Sequence, residues 1–162
     1  MQIIFLRLKE KEIVKNKKAS FDYIFLEKIE AGIILNGDEV KSILNHNVNF
    51  ANSYVKMLNS GPELINCHIG YYKFAKFKTR DETERYTYRS RKLLLNKKQI
   101  AKLSLRIKRD RVTIIPIKFH INERGKIKLE IAVARGKKLF DKRQSVKERD
   151  FLRENSRNLK HN

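Results

Sequence analysis

Strand-like patterns dominate the middle of the chain. Tyr23-Ile24-Phe25-Leu26 and Ile33-Ile34-Leu35 are short aromatic and β-branched runs, interrupted at Gly32. Asn36-Gly37-Asp38 reads as a turn and helix start, and Val40, Ile43 and Leu44 then recur at helical spacing. Residues 53–58 and 63–67 flank Asn59-Ser60-Gly61-Pro62 and predict a β-hairpin. Asn96 with Gln99 three residues on forms a capping box, ahead of a helix that puts Ile100, Leu103 and Ile107 on one face. A second, longer hairpin is expected over residues 111–121 and 126–134, turning at Asn122-Glu123-Arg124-Gly125 with the glycine left-handed. In its second strand Ile127, Leu129, Ile131 and Val133 alternate with Lys128, Glu130, Ala132 and Ala134. One face should therefore enter a core and the other meet solvent or a partner.

Three segments lack such a pattern. The first 18 residues, ending in Lys15-Asn16-Lys17-Lys18, read as a frayed basic arm. Residues 73–91 are polar and aperiodic and predict a long loop. From Arg135 onward ten basic residues face four acidic ones. Ser145-Val146-Lys147-Glu148 fits a capping box, and Arg149, Arg153 and Arg157 share one helical face. Val146, Phe151, Leu152 and Leu159 form no apolar face wide enough to pack, so the tail is expected to be disordered alone and helical against a partner.

Length and charge narrow the function. The 162 residues suit one domain. Thirty-eight Lys and Arg against eighteen Asp and Glu leave a net charge of +20, which a polyanion would neutralise. The single cysteine, Cys67, forms no internal disulfide. The apolar run at residues 3–6 is too short for a membrane span and is followed at once by Arg7. A soluble cytoplasmic protein with no membrane partner is the expectation.

Catalytic chemistry is thinly represented. His46, His68, His120 and His161 sit in unrelated contexts, and Cys67-His68 has no C-x-x-C partner, so no zinc site is expected. Asp81, Glu82 and Glu84 are flanked by Arg80 and Arg85 and read as a solvated charge cluster. The six glycines form no phosphate-binding loop. No enzyme, metal or cofactor is expected. Residues 73–111 instead carry fifteen Lys and Arg against four acids, interleaved with Phe74, Phe77, Tyr86 and Tyr88. Cations for phosphates and aromatic planes for unpaired bases are the ingredients of an RNA surface. Phe140, beyond Arg135-Gly136-Lys137-Lys138, either stacks on RNA or closes the end of the barrel. The residues thus describe a mostly β RNA-binding protein with a basic tail.

Several motifs then resemble one family. Asn16-Lys17-Lys18-Ala19, Glu30-Ala31-Gly32, Gly37-Asp38-Glu39-Val40-Lys41-Ser42 and Arg91-Lys92-Leu93-Leu94-Leu95 occur in its order. So do Gly136-Lys137-Lys138-Leu139-Phe140-Asp141-Lys142-Arg143 and Lys147-Glu148-Arg149. The chain is similar in these to the small protein B (SmpB) family, the bacterial partner of transfer-messenger RNA (tmRNA). The resemblance implies an antiparallel β-barrel of the oligonucleotide-binding type with about three flanking helices. Residues 1–18 would then be the arm, 19–135 the RNA-binding domain and 136–162 the tail.

It also implies trans-translation. The body would bind the tRNA-like domain of tmRNA in place of an anticodon arm, while the tail occupies the small-subunit decoding centre and the empty mRNA channel. Elongation factor Tu and alanyl-tRNA synthetase would be indirect partners through tmRNA. Glu30, Leu94 and Lys128 match family positions tied to tmRNA binding. Glu30 would accept from base amino groups or orient an arginine, Leu94 would shape the face, and Lys128 would meet a phosphate. Motifs and charge together give an RNA-binding set of Lys17, Lys18, Glu30, Arg89, Arg91, Lys92, Leu94, Lys128, Arg135, Lys137 and Lys138. Phe140, Asp141, Lys142, Arg143, Lys147, Arg149 and Arg153 would engage the ribosome. The chain departs from the family at Ser20-Phe21, where Arg-His is common, and at Tyr86-Thr87-Tyr88. The alternative is a basic ribosomal or ribosome-associated RNA-binding protein.

Overall fold

The computed structural model describes residues 10–72 and 80–138, together with Asp141, Lys147 and Phe151. Its elements are β1 (Lys11–Lys15), α1 (Ala19–Asp22), β2 (Tyr23–Ile33), α2 (Gly37–Leu44), β3 (Val48–Asn49), β4 (Tyr54–Leu58), β5 (Gly61–Ile65) and β6 (His68–Ile69). They continue with α3 (Arg80–Thr87), β7 (Arg91–Leu94), α4 (Lys97–Asp110), β8 (Thr113–Ile121) and β9 (Ile127–Gly136). One antiparallel sheet runs in the order β1, β8, β4, β5, β7, β2, β9, and β9 pairs again with β8. Six strands from β8 round to β9 therefore close a ring of hydrogen bonds. β9 occupies one edge of β8, so β4 (at Ile114) and β1 (at residues 118–121) share the other. The mainly β, antiparallel class is as expected, with four helices among the described residues rather than about three.

The ring closes over its apolar faces. Leu64, Leu93, Ile114, Phe119, Leu129 and Ile131 are buried in one cluster, where Phe50 stacks on Phe119 at 5.5 Å between centroids. α4 contributes Leu103, with Ile107 packed against the same cluster, and starts at the expected box, Asn96 N donating to Gln99 Oε1 at 2.9 Å. Glu27 clamps α4 to the sheet, accepting from Lys102 Nζ and Arg106 Nη1 at 2.6 Å each. The Lys102 hydrogen bond leads the effects that hold the Glu27 carboxyl below its ordinary range.

The structure corrects four sequence expectations. β2 is one strand through Gly32, because β9 pairs along it from Tyr23 to Gly32 and β7 joins at Gly32 and Ile33. Ladder bonds on both sides outweigh glycine's weak strand propensity. The second half of β9 is buried on both faces: Ala132 and Ala134 lie with Ile115, Ile117 and Ala19 in a second cluster, against which Tyr23 and Phe25 pack. Irregularities between Phe25 and Glu27 and between Pro116 and Lys118 let these strands change the face they present. Residues 11–15 of the expected frayed arm are strand β1, and residues 80–87 of the expected loop are helix α3.

In the tail Asp141, Lys147 and Phe151 are helical. Phe140, Lys142, Arg143, Arg149 and Arg153 lie outside the described residues. Among the described residues, no helix is long and apolar enough to cross a membrane.

Candidate nucleic-acid interface

Strand register gathers three residues that are far apart in sequence. Gly32 of β2 stands opposite Leu94 of β7 and also opposite Lys128 of β9, while Glu30 lies one residue pair away on the same face. That face points outward, since the intervening Ala31 and Leu129 are buried in the core. Leu94 remains 59% exposed. A Cβ at position 32 would lie 3.1 Å from Leu94 Cβ, so glycine is what lets the leucine seat closely over β2.

The polar part of the face is a network. Glu30 Oε2 lies 2.9 Å from His120 Nε2, and Glu30 Oε1 lies 3.9 Å from Lys128 Nζ. Lys118 lies 3.5 Å from Glu130 and 3.7 Å from Glu12, and Lys28 is 3.7 Å from Glu130. Three lysines thus meet three glutamates, and the face is close to charge-balanced. It is built less to collect phosphates than to present carboxylate acceptors and ammonium donors beside an exposed leucine, which suits 2′-hydroxyls, base edges and shape. Glu10, Glu30 and His120 bring ligand atoms within 4.8 Å of one another, but Lys28 and Lys118 line the same cleft and oppose a cation there.

The expectation that Glu30 orients an arginine is not met among the described residues: its near partner is a histidine. His120 is buried, opposite Lys128 in the β8–β9 hairpin. Sequence reasoning missed it, although counting back from the turn pairs Ile121 with Ile127 and so His120 with Lys128.

Arg91 is a correction, and Arg89 shares its anchor. Arg91 is fully buried: its Nε donates to Glu39 Oε1 at 2.8 Å, Nη1 to the Cys67 and Arg89 carbonyls, and Nη2 to the Thr87 carbonyl. Arg89 reaches the same carboxylate through Nε, at 2.9 Å from Oε1, and through Nη2 to Oε2. Asn36 N donates to Oε2 at 2.8 Å. Burial alone would raise the Glu39 carboxyl, but the bonds from Arg89, Asn36 and Arg91 hold it below its ordinary range. Arg91 ties α2 to α3 and β7 instead of facing a ligand, while Arg89 remains partly exposed with Nε and Nη2 committed to the same carboxylate. Burial also pushes the Cys67 thiol up to about 12, which leaves it unreactive.

Several of the remaining candidates lie near α1. Lys17 and Lys18 are exposed in the turn between β1 and α1. Lys137 Nζ donates to the Ser20 carbonyl at 3.1 Å, and Lys137 N to the Asp22 carbonyl at 2.9 Å, which fastens the end of β9 to α1. Arg135 and Lys138 are exposed nearby in sequence, and Lys138 N donates to Asp141 Oδ2 at 3.2 Å. Lys92 is exposed on β7 opposite Glu63, and Lys147 is exposed in the tail.

A family model described as SmpB protein matches residues 13–161. An SsrA-binding protein of Mycoplasma mycoides subsp. mycoides SC is 44% identical over 154 residues, covering 94% of this chain and all of that protein. One of Agrobacterium fabrum is 43% identical over 156 residues, covering 96% of this chain and 94% of its own. A chain from a solved structure described as "tmRNA-SmpB: a journey to the center of the bacterial ribosome" superposes with a TM-score of 0.62 at 35% identity. It covers 79% of this chain and 86% of that one.

Proposed function

This chain belongs to the SmpB family, and on that premise we propose that it binds the tRNA-like domain of tmRNA and brings it to stalled ribosomes for trans-translation. It acts as a non-catalytic RNA-binding protein of the cytoplasm. The ring of six strands serves as a barrel of the oligonucleotide-binding type whose outer face stands in for an anticodon arm. The observation that carries this reading is the meeting of Glu30, Leu94 and Lys128 around Gly32 on one outward face. Lys128 supplies a cation for a phosphate, Glu30 an acceptor held by His120, and Leu94 an apolar contact to sugar or base. The exposed Lys17, Lys18, Arg135 and Lys138 extend the contact with phosphate charge.

The tail, with Phe140, Asp141, Lys142, Arg143, Lys147, Arg149 and Arg153, engages the decoding centre and the vacant mRNA path. Elongation factor Tu and alanyl-tRNA synthetase are reached only through the shared RNA. Equilibrium binding to the tRNA-like domain, competed with bulk tRNA at near-physiological and raised salt, tests the assignment. Retained selectivity at the higher salt is expected, and an equal fall for both RNAs would reduce the protein to a generic polycation. Changing Lys142 and Arg143 together to Ala is expected to abolish tagging on stalled ribosomes while leaving binding to free tmRNA nearly intact.

A further inference from the structure

A cleft of about 340 Å³ opens between the β1–α1 turn and the segment joining β3 to β4. Its lining is divided by burial. Ala19, Phe50 and Ile115 are buried and apolar, whereas Lys15, Lys17 and Lys18 are exposed at the opening with Asn49 and Asn52. Unlike Lys28, Lys102, Lys118 and Lys128, these three lysines make no ion pair among the described residues. Asp22 is the one acidic side chain lining the cleft, so three ammonium groups face one carboxylate among the described residues, and an anion at the opening offsets the excess positive charge.

Both walls are held in place. Asn16 Nδ2 donates to the Pro116 carbonyl at 3.0 Å, and Asn16 Oδ1 accepts from Ala19 N at 3.2 Å. Across the cleft Ala51 N donates to Asn49 Oδ1 at 2.9 Å and Ser53 Oγ to the Phe50 carbonyl at 2.6 Å. Such side-chain to backbone bonds pre-form a site instead of leaving it to the ligand. The volume suits one small organic anion and is too small for a duplex. A bare phosphate would leave the apolar floor unfilled.

We infer that this cleft takes one unstacked nucleotide of single-stranded RNA, with its base on the apolar floor and its phosphate among Lys15, Lys17 and Lys18. The inference rests on the RNA-binding reading above and adds to it a pocket for a single extruded base. Asn49 and Asn52 are placed to meet the base edge.

The test titrates the isotope-labelled full chain by NMR with each ribonucleoside 5′-monophosphate and, separately, with inorganic phosphate. Saturable shifts at the Ala19, Ala51 and Ser53 amides are expected, with at least one nucleotide binding about tenfold more tightly than phosphate, the effect of one stacked base. Ala51→Trp, which fills the cleft without changing charge, should abolish those shifts and weaken binding of the tRNA-like RNA about tenfold. Lys17→Gln with Lys18→Gln, which leaves the core untouched, should weaken nucleotide and RNA together. Equal affinity for phosphate and nucleotides overturns the inference. Unchanged RNA affinity in a folded Ala51→Trp protein that Lys128→Ala still weakens overturns the cleft and spares the family reading. Failure of the unaltered chain to bind the RNA removes that reading, and the cleft with it.

Discussion

Glu30 and Glu39 stand on either side of one short connection, and each meets basic side chains from later in the chain. Glu39 is buried and holds Arg89, Arg91 and the Asn36 amide; Glu30 is exposed and, among the described residues, meets His120 and a distant Lys128. The same chemistry does opposite work. In the buried cluster every lone pair is committed, so the charges lock α2, α3 and β7 together and offer nothing to a ligand. On the outer face the carboxylate keeps free lone pairs and the pair energy is small, so both groups can exchange their partners for RNA. Burial, and not residue type, separates architecture from recognition.

Glu39→Gln should have the largest effect, because it leaves Arg91 charged and buried. A loss of about 3–5 kcal/mol in denaturant unfolding is expected, against at most about 0.5 kcal/mol for Glu30→Gln. The acid limb gives a second readout. Glu39 is held below its ordinary 4.5, so its contribution is fully present above that value and is lost as pH falls through the lower folded one. Glu39→Gln should flatten that limb, and an unchanged pH profile would remove Glu39 from the account.

Gly32→Val attacks the outer face from beneath. With only 3.1 Å from a Cβ to Leu94, a branched side chain must displace the leucine, at about 1–3 kcal/mol. RNA affinity should drop with it, and undiminished affinity would mean that Leu94's position is immaterial. Lys128→Ala should leave unfolding unchanged, weaken tmRNA binding and lower the slope of log K against log salt by about one. A smaller effect is expected from His120→Ala, on the order of the 0.5–1.5 kcal/mol of one hydrogen bond. Its sharper form is a double-mutant cycle with Glu30→Gln in RNA binding. Additive losses would show that the histidine does not orient the carboxylate.

Local pattern carried much of this structure. The helix start at Asn36, the capping box at Asn96, the hairpin turns and the inward row Ile127, Leu129, Ile131 and Val133 follow from neighbours within a few residues. The set Glu30, Leu94 and Lys128 came from motif likeness, and only the register across Gly32 brought it together. Arg91 misled because a basic residue in a polar segment reads as exposed, and nothing local announces that Glu39 waits 52 residues earlier to bury it. Strand β1 was hidden for the same reason, since its partner Lys118 lies a hundred residues on.

Composition and short-range periodicity therefore determined by themselves that this is a basic, mainly antiparallel β protein with a polyanion for a partner. Which charges face that partner was decided by the tertiary structure alone. Charge and spacing are properties of the chain, but burial depends on what other strands and helices cover, and those contacts span most of its length.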